Sequence, residues 1–67
     1  MNIPKSIKMA QVSREVDNAS LLKAVAKSQS WLSLVLNGKR DIRVSTLEVL
    51  AELFEMPVSE FIRLGES

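Results

Sequence analysis

The sequence predicts an all-α domain of five helices. Three observations carry that expectation: apolar residues recur three and four positions apart instead of alternating, polar capping residues precede the apolar stripes, and only two glycines and two prolines interrupt 67 residues. A chain of this length with 46% hydrophobic residues builds one small core, so residues 1–67 are read as a single domain. A core so small leans on efficient local structure or on a second copy of the chain.

From Lys5 to Val16 no glycine or proline occurs, and Met9, Val12 and Val16 fall at helical spacing with Ile7 and Ala10 beside them, which predicts the first helix. Asp17 suits an N-cap because its carboxylate accepts backbone N–H bonds. Leu21, Leu22 and Val25 then form the apolar stripe of a second helix of roughly seven to nine residues. Lys27-Ser28-Gln29 interrupts the pattern; Ser28 caps a third helix that runs to Leu36, where Asn37-Gly38 supplies a left-handed stop. Two short helices therefore meet across a tight turn. Beyond Lys39-Arg40-Asp41, Ser45-Thr46-Leu47-Glu48 reads as a capping box, and Leu47, Leu50, Ala51 and Phe54 make the core stripe of a fourth helix. Met56-Pro57-Val58 ends it, since proline disfavours helix in the preceding residue, and Ser59 is expected to cap a last short helix carrying Phe61, Ile62 and Leu64.

Composition narrows the chemistry. The chain has no cysteine, histidine or tyrosine, which removes disulfides, thiolate nucleophiles, imidazole bases and the usual soft-metal ligands. Carboxylates and serines remain, but lysine is the sole side chain able to act as base toward a serine near neutral pH, so no enzyme and no cofactor are expected. No apolar run approaches the roughly 18 residues of a membrane span, and the first residues interleave charges with apolar groups, so the expected setting is the cytoplasm. The net charge of +1 conceals an asymmetry. Residues 1–40 carry seven bases against Glu15 and Asp17, while residues 41–67 carry Arg43 and Arg63 against six acids. A basic half is suited to a polyanion and an acidic half to solvent or another protein, although clustered charge also serves as a plain solvated face.

The third helix is unusual. At about 100° per residue, Trp31, Leu32, Val35 and Leu36 span one side of it, and Ser30, Ser33, Leu34 and Asn37 point away. An outward face that is small and uncharged suits insertion into a nucleic-acid groove, where bulk and carboxylates are penalised. The carboxamide of Gln29 can pair with adenine, and serines bond bases or phosphates; the competing reading is a merely polar helix end. Leu34 either meets a thymine methyl or sugar edge, packs on another partner, or is one of the exposed leucines every protein carries. Trp31, between the two faces, is read as a packing residue before a base or phosphate contact. Lys39 and Arg40, with Lys27, Arg43 and Lys5, are placed to flank this helix as phosphate contacts.

The stretch Ser28-Gln29-Ser30-Trp31-Leu32-Ser33-Leu34-Val35-Leu36-Asn37-Gly38-Lys39-Arg40 resembles the recognition helix and following loop of the Cro and lambda-repressor-like (XRE) helix-turn-helix family. Asp17-Asn18 through Leu21-Leu22 looks like the family's second helix, and Ser45-Thr46-Leu47-Glu48 through Met56-Pro57-Val58-Ser59-Glu60-Phe61 like its fourth and fifth. Leu22, Ala26 and Leu36 stand where the family usually has alanine, glycine and an acidic residue; that acid commonly pairs with a base on the first helix, a place where this chain offers Gln11. The resemblance implies that Gln29, Ser30, Ser33 and Leu34 face bases, that Asn18, Ser28, Asn37, Lys39 and Arg40 touch the DNA backbone, and that the chain binds a palindromic operator as a homodimer. Phe54, Met56, Phe61 and Leu64 are then candidates for the dimer contact, although at least half of them are read as core residues first.

The expected function is sequence-specific DNA binding by a transcriptional regulator, a small phage- or plasmid-type repressor acting by steric occlusion of a promoter. The alternative is a protein-interaction module, such as an antitoxin or antagonist on the same scaffold, using the acidic half or Leu34 and Trp31 as its contact.

Overall fold

The computed structural model describes residues 2–66, and it is all-helical: α1 (Ile3–Arg14), α2 (Asn18–Val25), α3 (Gln29–Leu36), α4 (Val44–Leu53) and α5 (Val58–Leu64). The first helix starts earlier than its apolar stripe predicts. Asn2 caps it, its Oδ1 accepting from the Lys5 N–H at 3.2 Å, and Pro4 sits in the first turn, where a missing N–H costs nothing. The helix ends at Arg14 because Glu15 turns left-handed at φ 55°. Its buried side is Ser6, Ile7 and Ala10, with Ile3 packed alongside, so the expected Met9–Val12–Val16 stripe is corrected at Met9 and Val12, while Val16, past the end of the helix, packs against the core. Met9 is 39% and Val12 81% exposed, because the Ile3–Ile7–Ala10 row, offset by one position, faces the core.

Asp17 and Ser28 cap α2 and α3 as expected: Asp17 Oδ1 accepts from the Ser20 N–H at 2.8 Å, and Ser28 Oγ from the Trp31 N–H at 3.2 Å. Between the two helices, Ala26 takes the left-handed conformation, φ 56°, which favours glycine. After α3, Gly38 at φ 72° makes the expected stop, and the Lys39 N–H returns to the Leu34 carbonyl at 2.9 Å.

Two cap expectations are corrected. α4 begins one residue before Ser45, with Arg43 at the N-cap and no side chain capping it, so Ser45-Thr46-Leu47-Glu48 lies inside the helix and forms no capping box. α5 begins at Val58 after Pro57, so Ser59 falls within the first turn. In both cases an extended residue, Arg43 at ψ 154° and Pro57 at ψ 152°, launches the helix before the serine is reached.

Helix α1 packs on α5 and α3, α2 on α4, and α4 on α5. The core they enclose holds Ile7, Ala10, Leu21, Trp31, Leu32, Val35, Leu47, Leu50, Ala51, Phe54 and Phe61. Phe54 and Phe61 are stacked, ring centroids 5.9 Å apart and planes 13° apart. The open end of α5 closes on the start of α1. Ser6 Oγ donates to the Ile62 carbonyl at 3.4 Å, and Gly65 lies so close to the Asn2 carbonyl and Ser6 Oγ that a Cβ there would overlap both. No helix is long and apolar enough to cross a membrane among the described residues.

Candidate nucleic-acid interface

Burying Leu32, Val35 and Trp31 fixes the rotation of α3 and leaves Gln29, Ser30, Ser33 and Leu34 exposed together on its outer side, Leu34 at 40%. No residue of α3 carries a charge. Every residue expected to face bases is therefore on the surface and on one helix.

The flanking residues differ in what they have left to offer. Ser28 Oγ accepts from the Trp31 N–H, which leaves its hydroxyl proton to donate outward. Asn37 Nδ2 donates to the Ser33 carbonyl at 2.8 Å and lies 3.5 Å from Ser33 Oγ, so its amide protons are turned onto its own helix. Asn18 Oδ1 accepts from Gln11 Nε2 at 2.8 Å, which leaves Asn18 Nδ2 as the outward donor. Lys39 and Arg40 are exposed. Next to Asn18, at the start of α2, Asp17 is held below the usual carboxylate range, first by the Ser20 backbone N–H and then by the Ser20 hydroxyl.

At the start of α3 a polar cleft of about 170 Å³ is lined by Lys27, Arg40 and Arg43 with Asp41, Ile42, Thr46 and an edge of Trp31. Three cations against one carboxylate make this rim positive. Trp31, 7% exposed, is a core residue whose edge contributes to the cleft wall. Lys5 lies in the first turn of α1, its backbone N–H donating to Asn2 Oδ1, and it does not line the cleft.

The dimer candidates separate. Phe54 and Phe61 are wholly buried and stacked on each other, so they have no surface for a partner and are corrected to core residues. Met56 and Leu64 are half-buried. Two features were not anticipated from the sequence. One is the Gln11–Asn18 bond, whose signal was a lone amide on the first helix. The other is an open apolar patch of Met9 and Val12 with Lys8 and Ser13 on α1, hidden by the wrong choice of helical face. Among the described residues no group of histidine, cysteine or carboxylate side chains is gathered as a metal site.

No protein-family model matches the chain, and no curated protein matches it at a significant level.

Proposed function

We propose that this chain is a sequence-specific DNA-binding transcriptional regulator that reads operator DNA in the major groove with α3. One observation carries the reading: an exposed helix face of Gln29, Ser30, Ser33 and Leu34, without charge, bordered by Lys39 and by the Lys27–Arg40–Arg43 cleft. A neutral face can approach base edges without desolvating a carboxylate, and bordering cations neutralise phosphates. The resemblance of Ser28–Arg40 to XRE-family recognition helices supports the same reading, and with it a small cytoplasmic repressor binding a palindromic site as a homodimer. Met56 and Leu64 are the interface candidates with surface to offer. Base contacts of this kind are worth about 1–3 kcal/mol per correct pair.

A second reading, a protein-interaction module such as an antitoxin or antagonist, is favoured by the exposed Met9–Val12 patch on α1. Titrating labelled mixed-sequence duplex by anisotropy at several salt concentrations separates the two. Saturable binding that weakens steeply with salt is expected, followed by selection of a preferred site. Absence of binding at low salt would overturn the DNA reading and direct the search to protein partners of α1.

A further inference from the structure

We propose that the exposed face of α1 docks on the exposed face of α4 of a second copy, so that the chain self-associates head to tail. Leu34 apart, the large hydrophobic side chains left exposed among the described residues are Met9 and Val12 on α1 and Val44 and Val49 on α4. Each of these two helices carries charge of one sign: α1 has Lys5, Lys8 and Arg14 and no acid, and α4 has Glu48 and Glu52 and no base. The contact uses no residue of α3 and does not rest on the DNA-binding reading.

The two faces share one footprint. Lys8, Met9 and Val12 occupy positions i, i+1 and i+4 of α1, and Glu48, Val49 and Glu52 occupy the same three positions of α4, so each set lies on one side of its helix. All six side chains are exposed, because α1 turns its other side to α3 and α5 while α4 turns its other side to α2 and α5. Charge decides which faces pair. Two α1 faces set Lys8 against Lys8 and two α4 faces gather glutamates, both repulsive, whereas α1 against α4 brings base to acid around an apolar centre. Since the two surfaces differ, the contact is heterologous, and each association leaves one α1 face and one α4 face open unless a ring closes. Three side chains on each copy are far fewer than the about 20–30 residues a side of a standard interface, so the contact is weak in dilute solution and strengthens where copies are held side by side.

Sedimentation equilibrium of the DNA-free chain, up to millimolar concentration, tests the proposal. The wild type is expected to gain mass with concentration and to lose it in high salt. Val12→Asp blocks the α1 face, and Glu48→Lys with Glu52→Lys blocks the α4 face; these are exposed positions, so both proteins should stay folded with a Tm close to that of the wild type. Each alone should raise the self-association Kd by about tenfold or more. Mixed in equal amounts they should form a one-to-one complex of near wild-type affinity, because each keeps the face the other has lost. Lys8→Glu, also exposed, repeats the α1 block with a charge change alone and should behave as Val12→Asp does. A wild type that stays monomeric, a blocked variant that associates like the wild type, or a mixture that stays monomeric would overturn the proposal.

Discussion

Lys39 and Arg40 leave α3 immediately after its glycine stop, while Gln29 and Ser33 stand on the face between the cleft and the helix end, and the two pairs are expected to fail differently. Lys39→Ala with Arg40→Ala should weaken binding to every duplex and flatten the salt dependence by about two phosphate contacts, a slope change of roughly 1.8. Gln29→Ala or Ser33→Ala should instead narrow the preference for the selected site over random duplex; equal loss on both would remove these side chains from base readout. Asp17 makes a separate prediction about stability. Its folded-state pKa lies below the ordinary 3.8, so its contribution is complete above the ordinary value and is lost as pH falls through the folded one. Asparagine caps a helix without titrating, so between about pH 6 and pH 2.5 the wild-type Tm should fall further than that of Asp17→Asn.

Among the elements, the α2–α3 pair was the most legible in sequence, because each helix begins on a side chain whose oxygen reaches a backbone N–H, a local interaction that spacing reveals. The starts of α4 and α5 lie two residues before the expected ones for the opposite reason: Arg43 and Pro57 launch them through backbone extension alone, without a cap that composition displays. The outward face of α3 followed from periodicity, whereas the core face of α1 did not, since Ile3–Ile7–Ala10 and Met9–Val12 are both apolar rows and only packing against α3 and α5 selects between them. Turn conformation lies below what one sequence displays. Ala26, Glu15 and Glu55 all adopt left-handed backbone angles, φ 55–56°, that disfavour a side chain. Ala26→Gly should relieve about 1–2 kcal/mol of that cost, less the about 0.5–1 kcal/mol of extra freedom glycine has when unfolded. The net gain is on the order of 1 kcal/mol, about 4–8 °C in Tm for a domain of this size; an unchanged or lower Tm would mean the turn bears no strain.

For the whole molecule, the stacked phenylalanines and the α1–α5 contact close the core. Charge is divided along the chain between the basic first 40 residues and the acidic remainder. Gly65 is where that closure is tightest. Its backbone is ordinary helix at φ −79°, so the requirement for glycine is one of space, and Gly65→Ala should push α5 from α1 and lower stability by about 1–3 kcal/mol in denaturant unfolding. A neutral result would show that the helix ends part freely. The same contact brings the backbone at Asn2 against the backbone at Gly65, so a peptide bridge of a few residues suffices to close residues 2–66 into a ring. New ends can then be opened in the Asp41–Ile42 link between α3 and α4, giving a permuted protein whose five helices follow one another in a different order around the same core.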